Sequence, residues 1–134
     1  MASIFSKIIA GDIPCYKIAE DEHFFAFLDI HPLMPGHTLV IPRKETDYLF
    51  DIDDQELADM MVFAKKIALA LKKAIACKRI GMAVVGMEVP HAHIHLIPIN
   101  KETDMLFSKP KLNPTADEMR DIAEKINKSL EQHA

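Results

Sequence analysis

His91-Ala92-His93-Ile94-His95-Leu96-Ile97-Pro98 sets three imidazoles at alternate positions, with alanine and isoleucine between them and leucine after the third. In an extended chain alternate side chains leave from the same face, so the three rings form a row while Ala92, Ile94 and Leu96 pack behind it. Residues 92 to 99 read as a strand ended by Pro98 that pairs back onto residues 81 to 85. Gly86 to Pro90 supplies the turn of this antiparallel hairpin.

Upstream of the hairpin, Asp53 and Glu56 form a capping-box signature. Leu57, Met60, Met61, Ala64, Ala68, Leu71 and Ile75 then recur at spacings of three and four, which predicts one long helix with this stripe on the sheet. Phe63, Ile67, Ala70 and Ala74 widen the apolar surface, which points to a second covered side and so to a homodimer. The first third reads as short strands, residues 16 to 19, 23 to 30 and 37 to 41, separated by Gly11-Asp12, Asp21-Glu22 and Pro32 to Gly36. Downstream, Thr115 and Glu118 form another capping box before Met119, Ile122, Ala123, Ile126 and Leu130, a docked C-terminal helix. Strands, helix, hairpin and helix without regular alternation predict an α+β fold with a mostly antiparallel sheet of about five strands.

The 134 residues, with 49% hydrophobic content, suit one domain over 1–134, with a core at 4–99 and a helical tail at about 114–131. A formal charge of -4 offers no basic field for a nucleic-acid polymer. No segment has membrane-spanning length, and Met1 to Lys7 lacks the apolar run of a signal peptide, so a soluble, cytoplasmic protein is expected. Cys15 and Cys77 form no C-x-x-C pair and read as ordinary half-buried thiols.

Three histidines in a row would repel one another if all were protonated, because their reference pKa is about 6.5. The row admits three readings: a polar strand face that happens to be rich in histidine, a metal site using H-x-H, or nucleophilic catalysis. In the last, a neutral imidazole attacks phosphorus without a separate base, and water cleaves the labile adduct.

His91-Ala92-His93-Ile94-His95-Leu96-Ile97 resembles the signature of the histidine-triad (HIT) family, and three further blocks agree in order. These are residues 4 to 14, Ala26 to Pro32 and Pro35 to Pro42, which resemble the Hint-like branch. The resemblance implies a hydrolase that passes a nucleotidyl group from a nucleotide conjugate to its own histidine and then to water, without a cofactor. The expected substrate is a purine nucleoside phosphoramidate, or alternatively a dinucleoside polyphosphate; a nucleotide-binding protein with little turnover is the third alternative. His93 matches the nucleophile, His91 and His95 its companions, and His37 a further histidine from the neighbouring strand. Asp29 matches the acceptor of ribose hydroxyls. Phe5, Ile8, Phe27 and Ile30 match apolar positions around the base, and Val89 a further nucleotide contact. His23, His31 and His133 are expected at the surface.

The chain departs from the family pattern in three places. Many bacterial relatives hold a structural zinc at positions that here carry Ser3, Ser6, Glu45 and His91; loss of three ligands together argues against a metal. Before the first triad histidine the pattern's glutamine and hydroxyl residue are replaced by Met87 and Glu88, and its asparagine has no counterpart. A carboxylate beside phosphate is repelled unless neutralised or turned away, so Glu88 is expected to pair with a triad histidine or point outward. Backbone N–H groups from Gly86 to Val89 would then supply donors. Third, the tail from Thr115 is longer than in many Hint-like proteins and could reset specificity.

Overall fold

The computed structural model describes residues 2–132, so His133 lies outside the described residues. Five strands carry the fold: β1 (Lys17–Glu20), β2 (Phe24–Leu28), β3 (Thr38–Pro42), β4 (Arg79–Ala83) and β5 (Ile94–Ile99). They lie in the order β1-β2-β3-β5-β4, with every neighbouring pair antiparallel. Alternation along them makes two unlike faces. Phe24, Ala26 and Leu28 of β2, Val40 of β3 and Ile94 and Leu96 of β5 join the large core beneath two helices. Phe25, Phe27, Leu39 and Ile41 look the other way and form a smaller apolar cluster with Phe5.

The long helix α2 (Asp54–Ala74) begins where the capping signature puts it, with the Asp53 carboxylate accepting from the Glu56 N–H. The C-terminal helix α3 (Ala116–Gln132) starts at a reciprocal box. Thr115 Oγ1 accepts from the Glu118 N–H, and Glu118 Oε1 from the Thr115 N–H. Met119, Ala123 and Ile126 of α3 are buried in the same cluster as Phe63, Ile67 and Ala70 of α2. This corrects the sequence argument for a partner subunit: the second apolar side of α2 belongs to the chain's own core, closed by α3, and Met61 from the supposed sheet-facing stripe is half exposed. No helix among the described residues is long and apolar enough to cross a membrane.

Two local expectations also change. A short helix, α1 (Ile4–Ala10), precedes the strands; its seven residues are too few to show a helical stripe. Ser3 caps it by accepting from the Ser6 N–H, and Gly11, at a φ of 86°, ends it in the left-handed conformation. Strand β5 begins at Ile94 rather than Ala92. Continuing the register from Val40 and Ile94 would set Ala92 opposite Pro42, which has no N–H to give and whose carbonyl is occupied by the His91 ring. The Ala92 N–H bonds instead to Thr46 O at 2.7 Å. His91 and His93 therefore stand in an irregular segment leading into the strand, and only His95 lies within it.

Candidate active site

On the face of the sheet away from α2 and α3 lies a cavity of about 430 Å³, within the size range of small-ligand sites. Its lining brings together Phe5, Ile8, Phe27, Asp29, Ile30, Val89, His93 and His95, eight of the ten residues singled out in the sequence. His37 and His91 stand behind the wall: His37 touches His95, and His91 is fully enclosed. Gly36, at a φ of 91°, turns the chain into β3 and so delivers His37 to this wall. A Cβ there would also press to 3.1 Å from Ile75 and 3.2 Å from Pro98.

Backbone groups, whose hydrogen-bonding sense is fixed, set the proton positions of four imidazoles. The His91 carbonyl can only accept, so His93 donates from Nδ1 at 2.8 Å. A neutral His93 ring then keeps its lone pair on Nε2. The Leu33 N–H can only donate, and it does so to His37 Nδ1 at 3.0 Å. His37 thus carries its proton on Nε2 and gives it to His95 Nδ1 at 2.9 Å. His95 is left with its proton on Nε2. His93 consequently offers a free electron pair and its neighbour His95 an N–H, with ring centroids 4.8 Å apart.

Burial, followed by the nearby His95, holds the His37 pKa down to about 3. Burial and then His93 hold that of His95 down to about 4. Both rings are therefore neutral near pH 7, as the relay requires. Burial raises the Asp29 pKa, opposed by the hydrogen bond from the His31 N–H to its Oδ1.

Asp29, His37 and His95 place one ligand atom each within 4.8 Å of one another. Their surroundings are nevertheless set for hydrogen bonding. A metal on His37 Nε2 would need the other ring nitrogen to donate, whereas Nδ1 faces the Leu33 N–H.

At the other end of the row, His91 donates from Nε2 to Pro42 O at 2.7 Å and accepts at Nδ1 from the Ser3 hydroxyl at 2.8 Å. Glu45 Oε1 accepts from the Ser3 N–H at 2.6 Å and from the Ser6 hydroxyl at 2.7 Å. These four residues stand at the positions that the family resemblance linked to a structural zinc. Here two hydroxyls, one carboxylate and an imidazole whose lone pair already takes a proton satisfy one another. That donor set does not fit a structural zinc.

Several lining residues escaped the sequence reading. Phe107 packs edge-on against the His95 ring, with centroids 4.8 Å apart, and Lys111 stands beside it, its ammonium donating to Phe107 O at 2.5 Å. Both sit in the aperiodic stretch before α3, tied to the loop before β3 by the Leu112 N–H to Pro32 O at 2.9 Å. Lys111 also depresses His37 and His95. His31, like His23, is exposed, but it borders the cavity mouth. Met87 and Glu88 are exposed on the rim, and among the ion pairs of the described residues Glu88 takes no part. The N–H groups of Gly86, Met87, Glu88 and Val89 donate to no acceptor among the described residues.

The HIT domain family matches residues 10–102 of the chain. The adenosine 5'-monophosphoramidase of Schizosaccharomyces pombe is 33% identical, over 97% of this chain and 99% of that protein. Its namesake from Saccharomyces cerevisiae is 40% identical, over 79% of this chain and 68% of that protein. Among solved structures, a Hit-like protein of Bartonella henselae superposes with a TM-score of 0.83 at 32% identity, covering 95% of each chain.

Proposed function

The chain belongs to the HIT family, and from that membership we propose that it hydrolyses nucleotide conjugates through a nucleotidyl group carried on His93, acting most readily on purine nucleoside phosphoramidates. The observation that carries this reading is the fixed tautomer of His93: Nδ1 is anchored on a backbone carbonyl, and Nε2 is left with its electron pair beside the cavity. The amine conjugate is favoured over a polyphosphate because two relatives are named adenosine 5'-monophosphoramidases.

In the first step a bond forms between His93 Nε2 and the α-phosphorus, the phosphorus–nitrogen bond breaks, and the amine leaves with a proton from solvent. In the second, water adds to phosphorus, the electron pair returns to Nε2, and one proton passes back to solvent. His95 does not supply a net proton. Kept neutral chiefly by burial and fixed in its tautomer by His37, it points its Nε2–H at the negative charge that grows on the phosphate oxygens. The unpaired N–H groups from Gly86 to Val89 fill the same need where Met87 and Glu88 replace polar side chains. Phe5, Ile8, Phe27 and Ile30 flank the base, and Asp29 accepts from the ribose hydroxyls.

Release of nucleoside monophosphate from an adenosine phosphoramidate tests the proposal, with His93→Ala as the control that must lose turnover. A dinucleoside polyphosphate assayed alongside ranks the two leaving groups by kcat/KM. Met87 and Glu88 on the rim favour one alternative, a nucleotide-binding protein with little turnover; tight monophosphate binding with no covalent adduct would select it.

The same reading extends to a homodimer. Its support is the unpaired edge of β4, with Met82 exposed on it and Val84 and Val85 exposed just after it, and the exposed Met61, Val62 and Leu69 of α2. Light scattering at micromolar concentration checks it: a mass of twice 15.1 kDa is expected.

A further inference from the structure

Helix α1 supplies Ile4, Phe5 and Ile8 to the cavity, but a helix of seven residues cannot hold itself together in water. Only Phe5 among its residues is buried, against Phe27 and the His93 ring. Ile8 and Ile9 pack part-buried beside the same cluster, and the polar attachment sits at the N-terminus of the helix. Glu45, from the loop after β3, accepts from the Ser3 N–H and from the Ser6 hydroxyl, while the Ser3 hydroxyl donates to His91.

We infer that Glu45 is a positioning residue for nucleotide binding, a metal-free latch that holds α1 in place as one wall of the cavity. The inference rests on reading that cavity as the nucleotide pocket. The carboxylate is not among the lining residues: it is about one-third exposed, bonds to α1, and stands 4.0 Å from the enclosed His91 ring. The His93 anchor is the backbone carbonyl of residue 91, which does not depend on Glu45. Loosening the latch should therefore weaken binding and leave the chemical step in place. A donor set of two hydroxyls and a carboxylate also makes the docking of α1 indifferent to chelators.

The test measures adenosine monophosphate affinity by calorimetry, KM and kcat on an adenosine phosphoramidate, and hydrogen exchange over residues 4–10, in the parent, Glu45→Ala, Glu45→Gln and Ser6→Ala proteins. Expected for Glu45→Ala is a roughly tenfold rise in both Kd and KM, with kcat within about twofold and faster exchange confined to α1. Glu45→Gln keeps one acceptor oxygen and should recover part of the loss; Ser6→Ala removes one arm and should cost about threefold. Parent-like affinity in a folded Glu45→Ala protein would overturn the role of Glu45. A parent that binds no nucleotide would instead overturn the reading of the cavity, and the exchange of α1 would still report whether Glu45 docks the helix.

Discussion

His91 and His93 stand two residues apart in one short segment, yet the side chain of His91 holds the chain together and that of His93 borders a cavity. Both His91 ring nitrogens are occupied, by Pro42 O and the Ser3 hydroxyl, and nothing is left for a ligand. His93 has one nitrogen anchored and one free. The contrast shows that like residues in a row need not act alike, because each ring's role follows from which of its nitrogens its surroundings have taken.

The comparison breaks most sharply at His93. Replacing it by alanine should lower kcat/KM on the order of 10⁴-fold with little change in folding, as for other nucleophiles removed from a working site; steady-state assays and a melting curve decide it. His95→Ala removes one donor from the proposed phosphate site and should cost about 10² to 10³ in kcat. His37→Phe keeps a ring but takes away the proton that fixes His95, and an intermediate loss of about tenfold is expected. His91→Ala should reverse the pattern. It leaves the Pro42 carbonyl buried without its donor, takes away the acceptor of the Ser3 hydroxyl proton and opens a cavity, so denaturant unfolding should show a loss of about 3 kcal/mol. Its kcat should stay within about tenfold of the parent, because the carbonyl that anchors His93 survives the substitution.

The smallest expected effect is on pH. His37 and His95 titrate near 3 and 4 in the folded chain, and His91 is also lowered, each chiefly by burial. A histidine held below its unfolded value of 6.5 stabilises the fold above that pH, and the contribution erodes as pH falls toward the folded values, where the unfolded chain binds more protons. Asp29, raised by burial, acts in the opposite sense, losing its contribution as pH rises through its folded value. With three histidines against one carboxyl, the melting temperature should drop by several degrees, roughly, between pH 7 and pH 5. A flat profile there would mean that these rings are not held neutral.

What the sequence disclosed follows the range over which each signal acts. Alternation in residues 91 to 97 is local, and it correctly separated the imidazole row from the side chains that join the helical core. The caps at Asp53 and Thr115 are local too, and both helices start there. The start of β5 was misplaced because it depends on what lies opposite, a proline whose carbonyl a side chain has claimed. The relay through His37 joins residues 58 apart and hinges on the Leu33 backbone N–H, which no residue type advertises. Phe107 and Lys111 come from a stretch with no periodicity. Ser3, Ser6 and Glu45 were visible only as missing zinc ligands; that they bond one another is a property of the fold.

The most direct test of the proposed mechanism is intact-mass and peptide analysis of the parent protein quenched during turnover of an adenosine phosphoramidate. The mechanism requires a mass increase of one adenosine monophosphate unit, located on the peptide bearing His93 and missing from His93→Ala. Steady turnover with no adduct, or an adduct on a different residue, would contradict it.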